Sequence, residues 1–169
     1  MNLVKARNKL EEYVKQASAT DTKVNIITTI DHNTESGITR VSREIMADII
    51  IIKWSQRTGF IDKFFGDKIE NILNNTNQTI FICHIEKPLV IHKRIVIVAP
   101  PLAEFENGFT LWLSKVEKLA HELSIPIVLH CNISTKKTVE KFLKKLKSNA
   151  SVTINLFNDW DDFLVLSRD

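Results

Sequence analysis

Residues 48–85, DIIIIKWSQRTGFIDKFFGDKIENILNNTNQTIFICHI, decide the fold. Four consecutive isoleucines at 49–52, with no polar alternation, predict a strand that is buried on both faces. Apolar residues then recur at helical spacing over 61–73 and predict an amphipathic helix, which the polar run 74–77 ends. Thr79–Ile85 is rich in β-branched residues and predicts a second strand. The loop between the first strand and the helix lies where open α/β sheets bind their ligands.

The rest of the chain repeats the same alternation of patterns. Further strands are predicted at Val24–Ile30, Arg94–Ala99, Pro126–Cys131 and Ser151–Phe157, and further helices at 3–17, 38–45, 109–123 and 136–147. Because strands and helices alternate with short connections, we expect an α/β fold with a mainly parallel sheet.

Composition excludes several classes of function. The chain has 169 residues, 44% of them hydrophobic, which suffices for one full core or two smaller ones. A formal charge of +3 gives no reason to expect nucleic acid as a partner. No apolar run approaches the ~20 residues that span a bilayer, and no signal peptide opens the chain, so we expect a soluble, cytosolic protein. Cys83 and Cys131 fall in predicted strands and are interpreted as buried free thiols.

No catalytic or metal-binding constellation is present in the sequence. The five histidines show no paired spacing of the HxxxH kind, so a metal site is not expected. Asp159, Asp161 and Asp162 have no recognisable base or nucleophile beside them and are interpreted as a helix-start cluster. We therefore predict that the chain is not an enzyme.

The pattern around Gly59 and Gly66 resembles the universal stress protein domain, in which a strand ends in Gly-x2-Gly-x9-Gly-Ser/Thr before a helix and a final strand. ADIIIIKW, FFGDKIENIL, RIVIVAPPLAEFENGF and DWDDFLVLSR are similar, more narrowly, to the cytosolic tail of bacterial cation:proton antiporters of the Na+/H+ type. Those tails carry two universal-stress-type domains in tandem behind a membrane transporter. The resemblance implies a Rossmann-like, doubly wound sheet of the adenine nucleotide alpha hydrolase-like kind.

Two domain arrangements follow from this resemblance. In the first, residues 1–91 form the C-terminal part of one universal-stress-like domain, and residues 92–169 form the N-terminal part of a second. In the alternative, residues 1–169 form one continuous permuted sheet. The strands at 94–99 and 126–131 then take the places of the family's first two strands, which residues 1–91 lack. The sequence leaves both open.

The family's nucleotide loop is degenerate in this chain. The family's first two glycines fall on Lys53 and Gln56, the third on Gly66, and the Ser/Thr hydroxyl on Asp67. In the family the glycines let backbone N–H groups approach phosphates at a helix N-terminus, whereas Asp67 places a carboxylate there. We predict no cofactor, with a nucleotide or another anion held by Lys53 and Arg57 as the alternative. The candidate ligand-binding residues are Lys53, Gln56, Arg57, Gly59, Gly66 and Asp67.

The resemblance implies a non-catalytic regulatory or sensory domain on the cytoplasmic side of the bacterial inner membrane, with a membrane-embedded Na+/H+ antiporter as its partner. The alternative is a free-standing universal stress protein that binds or hydrolyses ATP. The resemblance also implies pairing through Thr79–Ile85, in a homodimer or between tandem domains. The lysine-rich helix Lys136–Lys147 is interpreted as a solvated face, and contact with anionic lipid headgroups is the alternative.

Overall fold

The computed structural model describes residues 3–18, 22–53 and 61–161. The elements, in chain order, are α1 Leu3–Ser18, α2 Thr34–Glu44, β1 Ile49–Lys53, α3 Ile61–Asn74, β2 Thr79–Cys83, β3 Ile95–Val98, α4 Phe109–Leu123, β4 Ile127–Cys131, α5 Ile133–Leu146 and β5 Val152–Leu156. Short 3₁₀ turns lie at Leu89–Ile91 and Ala103–Phe105. The chain divides into two compact units: α1, α2 and α3 form the first, and the strands with α4 and α5 form the second.

All described strands of the second unit pair in parallel. β1 pairs with β2 in one sheet, in a register that places Ile50 opposite Ile80. A separate sheet has the order β3-β4-β5. A helix connects each pair of consecutive strands in the second sheet, which is the connection that parallel strands require. The α/β class with mainly parallel strands is therefore confirmed.

The core of the second unit lies between the β3-β4-β5 sheet and its two helices. Six buried residues form the central cluster: Ala99, Phe109, Leu113, Leu129, Cys131 and Val139. Phe109 meets Trp112 edge to face, with the ring centroids 5.2 Å apart. Because alternate residues of β4 point to this side, Ile127, Leu129 and Cys131 are buried while Val128 and His130 are only half-buried.

The first unit contains α2 packed against α3. Asn33 caps α2, since its side-chain oxygen accepts a hydrogen bond from the Ser36 backbone N–H at 2.7 Å. The buried side of α2 consists of small residues, Gly37, Thr39 and Ser42. Among the α3 side chains that the structure describes, Ile69 and Ile72 are buried, at the helical spacing that the sequence predicts.

Two predictions about strands are wrong. Residues 24–30 form no strand, and Ile27 and Ile30 are 50% and 86% exposed. A strand needs a neighbour for its backbone hydrogen bonds, and within the described residues this segment pairs with none, so its β-branched composition does not decide its structure. The prediction that β1 is buried on both faces also fails, because Ile51 is 71% exposed.

Candidate functional site

The structure locates three of the six predicted ligand-binding residues. Lys53 is the exposed last residue of β1, in the second unit, and Gly66 and Asp67 are exposed residues of α3, in the first. Gln56, Arg57 and Gly59 lie outside the described residues, so the loop that would join these positions has no described geometry. Its role as a ligand site stays a prediction.

The position of Gly66 does not suit the phosphate site that the sequence resemblance implies. α3 begins at Ile61, so Gly66 and Asp67 lie inside the helix rather than at its first residues. Only the first four backbone N–H groups of a helix lack partners within it and can bind an anion. A Cβ atom on Gly66 would meet nothing within 4 Å, so close packing does not require glycine there.

A partly buried acidic contact lies at the carboxyl edge of the β3-β4-β5 sheet. The loop after β3 contains Glu104, and α5 begins directly after β4 with Asn132 as its N-cap. Glu104 Oε2 accepts a hydrogen bond from Thr135 Oγ1 at 2.7 Å, and Thr135 is 0% exposed. The Thr135 backbone N–H in turn donates to Asn132 Oδ1 at 2.8 Å. The loop after β3 is thus fastened to the first turn of α5.

The environment keeps the Glu104 carboxylate ionised. Burial raises the pKa of Glu104. Hydrogen bonds from the neighbouring hydroxyls of Ser134 and Thr135 lower it by more than burial raises it, so the pKa lies below its ordinary value. The positive end of the α5 dipole favours a negative charge at this position. Within the described residues, the Oε1 atom is buried and has no hydrogen-bond partner.

The neighbouring thiol is a packing group. Cys131 is 0% exposed, and burial together with the charge of Glu104 raises its pKa. The neutral thiol is therefore the dominant form, and such a group is a poor nucleophile. The interpretation as a buried free thiol is confirmed for Cys131, whereas Cys83 is free but only half-buried.

Sequence analysis missed the contact between Glu104 and Thr135. The two residues lie 31 positions apart, and only the tertiary structure brings them together. The available signal was the segment APPLAEFENGF, which contains Glu104 and is one of the most specific parts of the resemblance.

The first unit contains a polar cleft of about 650 Å³. Its lining residues are Asp31, Asn33, Glu35, Ser36, Thr39, Arg40, Arg43, Glu44, Asn71 and Asn75. Arg40 holds the cleft together: its Nε lies 3.0 Å from Asp31 Oδ2, its Nη1 lies 2.6 Å from Glu44 Oε1, and its Nη2 donates to Thr29 Oγ1. This guanidinium fastens the irregular segment before α2 to the helix.

The charges of the cleft neutralise one another. The hydrogen bond from Arg40 is the largest cause that lowers the pKa of Asp31, and the same bond raises the pKa of Arg40. Glu35 pairs with Lys68, with Nζ and Oε1 3.5 Å apart. Because its acids and bases satisfy each other, the cleft is better explained as an ion-pair network that supports the fold than as a catalytic centre.

Neither a metal site nor a membrane span is found in residues 3–18, 22–53 and 61–161. No group of three or more His, Cys, Asp or Glu side chains there could hold a metal ion. No helix in these ranges is both long enough and apolar enough to cross a bilayer.

Comparison with known proteins identifies the fold. No family model matches the sequence, and no curated protein does. The solved structure of a universal stress protein from Archaeoglobus fulgidus DSM 4304 is similar, with a TM-score of 0.61 and 14% sequence identity. The match covers 97% of this chain, which spans 61% of the length of that one. The chain therefore has the universal stress protein fold, as its sequence pattern predicts.

Proposed function

We propose that this chain is a non-catalytic regulatory domain that acts with a membrane-embedded cation:proton antiporter of the Na+/H+ type. The antiporter partner rests on the four sequence segments that resemble antiporter tails. The non-catalytic role rests on one structural observation, the Glu104 carboxylate at the first turn of α5. The proposal also places the domain at the cytoplasmic face of the bacterial inner membrane.

The argument from Glu104 is electrostatic. Open α/β sheets bind phosphates outside the carboxyl ends of their strands, often at a helix N-terminus. Here the side chain of Glu104 already brings a negative charge to that place, beside Thr135. A phosphate would meet this charge, and like charges repel. This arrangement favours a domain that works by contact with a partner, without a cofactor.

The antiporter partnership is tested in cells that carry the gene. An in-frame deletion of the codons for residues 1–169 should change the cation concentration that gives half-maximal proton release from everted membrane vesicles. The amount of transporter, measured by immunoblot, should stay the same. A variant with Glu104→Ala and Thr135→Ala is a second test. It keeps the domain present but loosens the carboxyl edge of the sheet. Identical antiport in the deletion strain would contradict the proposal.

A second candidate function is nucleotide binding by a free-standing stress protein, which the similarity to a solved universal stress protein favours. Thermal unfolding with millimolar ATP, ADP or AMP distinguishes the two. A nucleotide at 100 times its dissociation constant would add about 2.7 kcal/mol of stability, a rise in Tm of about 5–11 °C. Our proposal expects no rise with any of them. A rise that Lys53→Ala abolishes would instead establish the nucleotide function.

Self-association is proposed to use Thr79–Ile85. Within the described residues, β2 has one neighbouring strand, β1, and Ile82 is 43% exposed. An apolar strand edge of this kind invites pairing with another chain or domain. Analytical ultracentrifugation should show association that Ile82→Lys weakens, and a monomer at high concentration would count against it. The division into domains at residues 91 and 92 stays a prediction.

A further inference from the structure

The connector between the two sheets, residues 85–94, presents an apolar turn to solvent. The 3₁₀ turn Leu89–Ile91 exposes three adjacent apolar side chains: Leu89 is 39% exposed, Val90 77% and Ile91 56%. Ile85, at the start of the segment, is 51% exposed. We call residues 85–94 the connector patch. Adjacent exposed apolar side chains of this size mark a surface that contacts a partner, a ligand or a membrane.

Basic side chains surround this apolar turn. Lys87 precedes it, and His92, Lys93 and Arg94 follow it, all of them exposed. Within the described residues, none of these four side chains takes part in a hydrogen bond or an ion pair. The patch contains one acid, Glu86, which lies within hydrogen-bond distance of His84, with Nε2 and Oε1 3.0 Å apart. The patch therefore offers unpaired positive charge on both sides of an apolar centre.

An apolar groove of about 580 Å³ lies beside the patch. Leu89 lines it on the connector side, and Val116, Leu119 and Leu123 line it from α4. Lys87 and Arg94 also reach this groove. The apolar surface is thus continuous from the exposed turn to the face of α4, and it has cations along its margin.

We propose that the connector patch docks on an anionic lipid membrane. Leu89, Val90 and Ile91 enter the headgroup region, while Lys87, Lys93 and Arg94 lie at the level of the anionic headgroups. Apolar insertion combined with basic residues is the combination that holds peripheral proteins on such surfaces. A second copy of this chain fits the patch less well, because a symmetric contact would place these cations against the same cations of its partner.

The lysine-rich helix α5 is the obvious rival surface. Its lysines are mostly exposed, but its exposed large apolar side chains, Ile133 and Leu146, lie at opposite ends of the helix. The lysine face therefore lacks an apolar centre, and Lys136 is partly neutralised by Glu140, with Nζ and Oε1 3.6 Å apart. Electrostatic attraction alone gives α5 a weaker and less localised contact than the connector patch. This inference does not depend on an antiporter partner.

The experiment is flotation of the 169-residue chain with vesicles of phosphatidylglycerol and phosphatidylcholine, compared with vesicles of phosphatidylcholine alone. The patch variant carries Lys87→Glu, Lys93→Glu and Arg94→Glu. The matched control carries Lys137→Glu, Lys141→Glu and Lys144→Glu on α5, so both variants change the net charge of the chain equally. A third variant, Val90→Asp, removes the apolar centre at a 77% exposed position where folding is little affected.

We expect binding to the anionic vesicles, weakened by salt, and none to the neutral ones. The patch variant should lose about 100-fold in affinity, because each of its three basic residues near the surface contributes about tenfold or less. Val90→Asp should lose at least about tenfold. The α5 control should stay within about threefold of the unaltered chain. Circular dichroism melts confirm that each variant is folded.

Three results would overturn the proposal. The first is an α5 control that loses as much affinity as the patch variant, because net charge or α5 itself would then hold the membrane. The second is an unaltered chain that binds neither kind of vesicle. The third is a dimer of the unaltered chain that Val90→Asp converts to a monomer, which would assign the patch to self-association.

Discussion

The hydrogen bond between Thr135 and Glu104 gives the sharpest test of the structure. Thr135→Val keeps the shape of the side chain and removes the hydroxyl that donates to Glu104 Oε2 at 2.7 Å. Because Thr135 is 0% exposed, no water can easily replace the lost donor. The Oε1 atom has no partner among the described residues, so the Ser134 hydroxyl and the backbone would be the remaining groups that stabilise the carboxylate.

The expected loss of stability follows from the nature of this bond. Hydrogen bonds to charged groups contribute about 1.5–3 kcal/mol, and the contact with Glu104 is only partly buried. We therefore expect a loss near the lower end, about 1.5–2 kcal/mol. For a domain of this length, that loss lowers the Tm by about 3–8 °C. Glu104→Gln removes the charge from the same contact and should cost a similar amount.

The assay is a double-mutant cycle, measured by chemical unfolding of Thr135→Val, Glu104→Gln and the double variant. Thr138→Val is the matched control on α5, because its hydroxyl donates to the helix's own Ser134 carbonyl at 3.3 Å. The pKa of Glu104 lies below its ordinary value of 4.5. Its stabilisation is therefore complete above about pH 4.5 and is lost as the pH falls through the folded-state pKa.

Additivity would refute this account. The losses in free energy of unfolding of the two single variants could add up to the loss of the double variant within about 0.5 kcal/mol. In that case Thr135 and Glu104 are not coupled, and the bond does not fasten the loop to α5. A loss for Thr138→Val as large as that for Thr135→Val would equally show that the effect belongs to the helix and not to the carboxylate.

Three further predictions test other parts of the fold. Leu129→Ala, at a core position that is 1% exposed, should lower the free energy of unfolding by about 2–5 kcal/mol in urea titrations. Gly108→Ala places a Cβ atom 2.9 Å from Thr79 Oγ1, so it should cost about 1–3 kcal/mol, and added Thr79→Ala should recover most of that loss in the same titrations. The pKa of Asp31 is lowered by Arg40, so this pair stabilises the fold above the ordinary Asp pKa of 3.8 and stops doing so as the pH falls through the folded-state pKa. Thermal melts across that range should show a pH dependence of the Tm that Asp31→Asn reduces. An unchanged pH dependence would show that the pair does not stabilise the fold.

Much of the fold is encoded in local sequence patterns. The strands β3, β4 and β5 and the helices α3, α4 and α5 lie within a few residues of their predicted positions. The reason is that helical spacing and continuous β-branched runs each match a single backbone periodicity. The same patterns, with short connections between them, imply parallel strands, and the structure has them.

The failures come from neighbours that no local pattern reveals. Residues 24–30 have the composition of a strand, but a strand exists only where another strand accepts and donates its backbone hydrogen bonds. The run 49–52 has the composition of a doubly buried strand, but burial depends on what lies across each face, and Ile51 is 71% exposed. Both predictions treated a property of the assembled sheet as a property of the segment.

The candidate site shows the same limit at the level of single side chains. The sequence by itself determined the α/β class, and its resemblance predicts that the family's nucleotide residues are replaced at Lys53 and Asp67. It gave no means to pair Glu104 with Thr135, because the loop after one strand and the helix after the next meet only when both strands lie in one sheet. The sequence specifies the chemistry of each side chain. The packing of the helices, strands and loops decides the distance between two side chains.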